Sequence, residues 1–136
     1  FYYPLSKRGK PIEIPQDTKG NFVIYVSDQS SEIDPVDITL QIDGKVAISQ
    51  DFSFNDILFF GNPPGHNFIS FRYSLPNGNH TLMVESVKGE ARLEKQIDIS
   101  GNHWAGIGYY SNGRGQPYEP EKYFHFDFQN EPIMFQ

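Results

Sequence analysis

The sequence contains no cysteine among its 136 residues. A disulfide framework, a CxxC redox centre, a cysteine nucleophile and a thiolate zinc site are therefore excluded. Basic residues are also few, since 11 Lys and Arg stand against 17 Asp and Glu and give a net charge of −6. This balance argues against a domain that binds nucleic acid or an anionic membrane surface. No apolar run reaches the roughly 18 residues of a membrane-spanning helix, so no transmembrane segment is predicted.

Aromatic side chains are abundant, with 12 Phe, 8 Tyr and 1 Trp. These rings supply enough apolar surface for a packed core, and a chain of this length forms one domain. Residues 1–20 are rich in Pro, Gly and basic side chains, which predicts an N-terminal arm with a short edge strand at residues 12–14. Residues 21–136 are predicted to form a single β-sandwich domain.

Apolar and polar residues alternate from residue 21 onward with the period of two that is typical of half-buried strands. In residues 36–42, for example, every second residue is Val, Ile or Leu. Asp43-Gly44 is a preferred pair for a two-residue hairpin turn. The predicted strands are residues 21–27, 36–43, 45–52, 67–75, 79–87, 91–99, 103–110 and 122–128. Gly, Pro and Asn separate them, and no long segment has a helical period, so the sequence predicts an all-β, antiparallel two-sheet sandwich of about eight strands.

The segment from Leu75 through Pro76, Asn77 and Gly78 to His80 resembles the E–F corner of immunoglobulin-like and fibronectin-III-like domains. In that family a Tyr usually caps the corner, and His80 stands in its place here. Residues 36–110 are similar overall to small immunoglobulin-like domains of exported bacterial proteins, many of them lipoproteins without an assigned function. The resemblance implies an immunoglobulin-like sandwich in an extracytoplasmic location, namely periplasmic, cell-surface or secreted. It does not select a function, because the fold carries many.

Alternate connections of an antiparallel sandwich lie at the same end. One end then holds the tight turns 43–44, 76–78 and 100–102, and the other holds residues 28–35, 53–66, 88–90 and 111–121. Three of the latter are long, and long connections in compact domains are usually functional or mobile. We therefore expect a non-catalytic binding or assembly module that recognises a protein partner through this end. The candidate residues are Phe59, Phe60, Arg114 and Tyr118. The alternative is that the two Phe rings close the core and the other two lie in a solvated loop.

A second interpretation is a carbohydrate-binding module that recognises a cell-surface glycan, because aromatic rings stack on the apolar faces of sugars. Its candidate residues are Trp104, Tyr109, Tyr118 and Tyr123. This requires Tyr109 and Tyr123 to face outward on neighbouring strands. The alternative is that Trp104 and Tyr110 fill the core while the other rings cover an edge.

Catalytic motifs such as GxGxxG, HExxH and GxSxG do not occur in the sequence, and the four His residues are far apart along it. The acids Asp28, Glu32, Asp34 and Asp37 lie close together, but without EF-hand spacing. No catalytic residue, metal site or cofactor is therefore predicted. A hydrolase with a surface pair of carboxylates is the third interpretation, since the sequence does not reveal the distance between acids.

Overall fold

The computed structural model describes residues 11–30, 33, 35–53, 68–111 and 122–132. The strands are β1 (Phe22–Asp28), β2 (Val36–Ile42), β3 (Lys45–Phe52), β4 (Ile69–Tyr73), β5 (Gly78–Ser86), β6 (Ala91–Ile99), β7 (His103–Ser111) and β8 (Lys122–Gln129). They form two four-stranded sheets, sheet I in the order β4-β1-β7-β8 and sheet II in the order β3-β2-β5-β6. The predicted all-β, two-sheet architecture is confirmed. These ranges contain no helix that is long and apolar enough to cross a bilayer.

The core lies between the sheets and is built from the predicted alternation. In β2 every second side chain, from Val36 to Ile42, is buried. Phe52 of β3 meets Phe71 of β4 edge to face, with ring centroids 6.1 Å apart, so these two rings join the sheets. Burial of each such side chain contributes about 1.5–3 kcal/mol of transfer free energy. Six phenylalanine rings of the strands pack into this core: Phe22, Phe52, Phe71 and Phe124 are buried, and Phe126 and Phe128 are partly buried.

One strand pair differs from the antiparallel expectation. β1 and β7 run parallel, from Phe22 beside His103 to Asp28 beside Tyr109. Parallel neighbours cannot be joined by a hairpin, and here the intervening chain forms all of sheet II together with β4. The hydrophobic alternation of a strand is the same in both directions, so the sequence pattern does not reveal this pairing.

The connections 20–21, 42–45, 74–78 and 100–102 form one end of the sandwich, here named the turn end. Asp43 and Gly44 both have positive φ, 53° and 82°, as the predicted hairpin turn requires. The side chain of Asn21 donates to Leu75 O (2.9 Å) and Gly101 O (3.0 Å), and its Oδ1 accepts from Leu75 N (2.8 Å). One amide therefore holds three connections together.

His80 caps the corner between β4 and β5. Its Nε2 lies 2.7 Å from Pro76 O, and its Nδ1 lies 2.6 Å from Asp43 Oδ2. Both partners are acceptors, so both ring nitrogens must carry a proton, and only the imidazolium form satisfies both bonds. Burial alone would lower the pKa of His80, but the hydrogen bonds to Asp43 and Pro76 outweigh it and raise that pKa above its ordinary value.

Residues 11–20 cross from the edge of sheet II to the edge of sheet I. The predicted strand at residues 12–14 is not formed, because Glu13 N and Ile14 N both donate to the same oxygen, Val46 O (2.8 and 3.0 Å). Farther along, Asp17 N donates to Arg72 O on β4 (2.9 Å). This segment therefore occupies backbone groups at the edges of β3 and β4 that would otherwise be open to pairing.

Candidate functional site

The end of the sandwich opposite the turn end collects the strand termini that border the long connections. In sheet I, the last residue of β7, Ser111, pairs with the first of β8, Lys122. In sheet II, Val36 pairs with Phe52, so β2 begins where β3 ends. The four connections predicted to share one end therefore do leave and enter the sandwich together. We name this end the loop end.

Contacts between the sheets tie the loop end together. The buried hydroxyl of Tyr109 on β7 donates to Gly89 O in the β5–β6 turn (2.7 Å). Glu90 in the same turn forms an ion pair with Lys122 of β8, which holds the pKa of this carboxyl below its usual value. Gln29 N donates to Tyr109 O (2.8 Å). The termini of both sheets thus form one surface.

Asp37 holds the β5–β6 turn in a defined shape. Its Oδ1 accepts from Ser86 Oγ and Lys88 N (both 2.9 Å), and its Oδ2 accepts from Val87 N (3.0 Å). Val87 at the tip is 79% exposed, which is unusual for a large aliphatic side chain. The turn therefore presents a fixed apolar residue at the loop end.

Two of the four acids that lie close together in the sequence, Asp28 and Asp37, belong to the described residues, and their carboxylates accept hydrogen bonds from backbone N–H groups. Asp37 holds the turn, and Asp28 Oδ1 accepts from Ser30 N (2.9 Å). Glu32 and Asp34 lie outside the described residues. Across the described ranges, no three His, Asp or Glu side chains approach closely enough to hold a metal ion.

The four residues predicted to contact a protein partner, Phe59, Phe60, Arg114 and Tyr118, lie outside the described residues. Tyr118 belongs to the carbohydrate set as well. Of the remaining members of that set, Trp104 is partly buried and Tyr123 is 41% exposed. Tyr109 is fully buried, so its expected outward orientation is wrong. It shares the core face of β7 with Ala105 and Ile107, whose alternation places Tyr110 on the other side.

The face of sheet I turned away from the core, here named the outer face, can be read from the strand register. The first row across it holds Arg72, Val23, Trp104 and Gln129, and the second holds Ser70, Tyr25, Gly106 and Asp127. The third row holds Ser27, Gly108 and His125, and the fourth holds Tyr110 and Tyr123. Aromatic residues therefore mark both ends of β7, and two glycines lie between them.

Tyr110 and Tyr123 form the aromatic pair at one end of this face. Their rings are stacked, with centroids 5.4 Å apart and an interplanar angle of 13°. The Tyr110 ring also lies over the backbone of Gly108, where an added Cβ would come within 3.0 Å of it. Burial, with help from the nearby Tyr123 and Asp127, raises the pKa of Tyr110. The Tyr110 phenol is therefore neutral at physiological pH, and the stacked pair presents a flat apolar surface with polar tips.

Tyr25 and Tyr110 were not assigned to any site from the sequence. The sequence held one indication of the orientation of Tyr110. Gly106, Gly108 and Tyr110 follow Trp104 at every second position, so all four residues lie on the same face of the strand. Two glycines hide that pattern, since they are neither clearly apolar nor clearly polar. Glycines inside a strand often mark a bulge or a close approach of other atoms to the backbone. The register of β7 with both neighbours is continuous, and at Gly108 the close approach is present.

The fold and its surfaces define a β-sandwich with one hydrogen-bonded end, one loop-bearing end and one aromatic sheet face. Comparison of the sequence with protein-family models finds no match, and comparison with curated proteins also finds none.

Proposed function

We propose that this chain is a non-catalytic binding or assembly module of an exported protein, and that it contacts a protein partner through the loop end. The observation that carries the proposal is the difference between the two ends. Side chains such as Asn21 and His80 hold the turn end closed. The loop end gathers the termini of all the long connections and presents Val87 on a turn fixed by Asp37. A rigid scaffold that positions variable connections is the usual arrangement of a recognition surface.

We further propose that the sandwich is immunoglobulin-like. Support comes from the corner between β4 and β5, where the His80 ring bonds back to Pro76 O, four residues earlier. A corner Tyr in immunoglobulin-like domains bonds in a similar way to upstream backbone. The extracytoplasmic location follows from the same resemblance and is part of this proposal.

The loop-end proposal can be tested by photo-crosslinking in cells that produce the protein. A benzophenone amino acid at Val87 is expected to give one dominant protein adduct, because this position is exposed at the loop end. The same probe at Lys45, exposed in the turn end, is the matched control and should give none. The Val87 adduct should disappear when Phe59, Phe60, Arg114 and Tyr118 are replaced together by Ser. Equal adducts from both positions, or an adduct from Lys45 alone, would refute the assignment of this end.

A second candidate function, carbohydrate binding, is supported by the outer face. Trp104, Tyr110 and Tyr123 lie on it. Of the two glycines between them, Gly106 is partly exposed, whereas Gly108 is buried beneath the Tyr110 ring. Six residues of extended strand separate Trp104 from Tyr110, a distance of about 20 Å. The face therefore has Trp104 at one end, the Tyr110–Tyr123 pair at the other and a shallow trough at Gly106 between them, and sugars stack on such rings through their C–H faces.

Replacing Tyr123 with Ala is expected to weaken binding of a neutral oligosaccharide about fivefold, because stacking contributes on the order of 1 kcal/mol. Tyr123 is 41% exposed, so the substitution should lower the free energy of unfolding by only about 1 kcal/mol, the contribution of its stacking on Tyr110. A glycan array followed by calorimetry measures the effect, with Val87→Ala as the control on another surface. If Val87→Ala weakens glycan binding as much as Tyr123→Ala does, the outer face is not the sugar site.

A further inference from the structure

A pocket of about 250 Å³ lies where residues 16–18 pass over the outer face beside β1 and β4. Val23 of β1 contributes apolar surface to it. Its other walls include Gln16, Asp17, Thr18, Tyr25, Ser70 and Arg72. Asp17 and Arg72 carry opposite charges, and Tyr25 provides an aromatic ring. The other three side chains are neutral and can form hydrogen bonds. This combination differs from the aromatic trough and from the loop end.

The polar walls are held in place by the crossing of residues 11–20 over β4. Asp17 N donates to Arg72 O (2.9 Å), and Arg72 N donates to Gln16 Oε1 (3.2 Å). Asp17 Oδ1 accepts from Lys19 N (2.9 Å), which orients the carboxylate. Arg72 Nη1 donates to Gly20 O (3.0 Å), which fixes the guanidinium. Groups that are already ordered lose little conformational entropy when a ligand binds.

The ring of Tyr25 is also held. It meets Phe68 edge to face, with centroids 5.2 Å apart and an interplanar angle of 86°. Tyr25 is partly buried, so one part of the side chain remains accessible beside the pocket. A fixed ring at the wall of a polar pocket provides an apolar surface next to hydrogen-bonding groups.

The charges of the pocket select against an ionic ligand. The charges of Asp17 and Arg72 cancel. The Asp17 carboxylate would repel an anion, and the Arg72 guanidinium would repel a cation. A neutral polyol avoids both conflicts, because each hydroxyl can donate to Asp17 and accept from Arg72. The volume of about 250 Å³ suits one six-membered ring with its hydroxyls and lies just below the range of about 300–1,000 Å³ for pockets that hold drug-sized ligands.

We infer that this pocket binds one neutral sugar residue, with Asp17 and Arg72 holding its hydroxyls and Tyr25 contacting its C–H face. The site rests on the carbohydrate function proposed for the outer face and extends it. Val23, which contributes to the pocket, pairs with Trp104 across the β1–β7 register. A glycan whose end lies in the pocket can therefore continue past Trp104 and over Gly106 to the Tyr110 ring, which covers Gly108.

The test uses the full chain with glucose, galactose, mannose and N-acetylglucosamine as separate probes. NMR titration with each sugar is expected to shift the backbone amides of Tyr25, Ser70 and Arg72 for at least one of the four. Asp17→Asn keeps the acceptor oxygen for Lys19 N but removes the charge, and Arg72→Lys keeps the charge but removes the planar donor set. Each should weaken binding of that sugar about tenfold or more, because hydrogen bonds to charged groups are the strong ones.

Tyr123→Ala provides the control outside the pocket, at the other end of the outer face. If a neutral oligosaccharide binds and loses affinity in Tyr123→Ala but not in Asp17→Asn or Arg72→Lys, the pocket inference is overturned while the outer-face function stands. Tighter binding of glucuronate or glucosamine than of glucose would overturn the charge argument. If no sugar binds at all, the carbohydrate function and the pocket are both wrong, and the loop-end proposal is unaffected.

Discussion

Replacing Gly20 with Ala is expected to lower the free energy of unfolding by about 3 kcal/mol. A Cβ at this position would lie 2.1 Å from Tyr73 O and 2.3 Å from Tyr73 C. Those are backbone atoms at the end of β4, and Tyr73 cannot yield easily, because it is fully buried and its hydroxyl donates to Ala47 O across the sheets (2.9 Å). The clash is relieved only if residues 11–19 leave the edges of β3 and β4.

Urea unfolding measures this loss, and limited proteolysis after Lys19 should show the released segment directly. Gly44→Ala and Gly101→Ala are the matched controls, because nothing lies within 4 Å of a Cβ at either position. Their positive φ values, +82° and +79°, should cost only about 1 kcal/mol each. If the three variants lose equal stability, close approach at Gly20 is not the reason for glycine there.

The His80–Asp43 pair should make the stability of the protein fall as the pH rises above about 6.5, the ordinary pKa of a His side chain. The pKa of His80 is raised in the folded state, since its hydrogen bonds to Asp43 and Pro76 outweigh the opposing effect of burial. The stabilisation of the fold by His80 is therefore fully present below the pKa that His80 has in the unfolded chain. It is lost as the pH rises through the higher pKa of the folded state. The pKa of Asp43 is lowered despite its partial burial, by His80 and by the N–H of Thr81. The contribution of Asp43 to stability is present above the pKa that its carboxyl has in the unfolded chain. It is lost as the pH falls through the lower pKa of the folded state.

His80→Ala is expected to cost about 2 kcal/mol at pH 6 and to abolish the decline above pH 6.5. Asp43→Asn should flatten the same decline while retaining the hairpin, because Asn tolerates the left-handed backbone at this position. Chemical unfolding at a series of pH values and NMR titration of the His80 ring are the measurements. His125→Gln is the control, since the exposed His125–Asp127 pair contributes little. A wild-type stability that stays constant from pH 6 to 8.5 would contradict the imidazolium assignment.

The strands were predictable because each buries one face against the other sheet. The alternation of Val36, Ile38, Leu40 and Ile42 leaves a single orientation that hides all four side chains from water. The Asp43-Gly44 hairpin was predictable for a local reason, namely the positive φ that its turn type requires. The edge strand predicted at residues 12–14 does not form, because Pro11 and Pro15 limit backbone pairing and a single carbonyl, Val46 O, accepts from both Glu13 N and Ile14 N.

The candidate surfaces were only partly predictable. The convergence of strand termini at the loop end follows from the order of the strands and was expected. The orientation of Tyr109 was not, because its buried hydroxyl is stabilised by Gly89 O, which lies 20 residues away in the sequence on the other sheet. The pocket beside Tyr25 was not foreseen either, since its walls come from residues 16–18, β1 and β4.

The sequence by itself determined the fold class, the eight strands, the hairpin at Asp43 and the absence of any thiol chemistry. These features depend on local periodicity, turn geometry and composition. Only the tertiary structure decided that β1 lies parallel to β7, that Tyr110 rather than Tyr109 faces outward, and that His80 lies between two acceptors. Each of these depends on which distant groups meet. That is set by how the two sheets pack and how residues 11–20 cross their edges, and hydrophobic alternation carries no information about either.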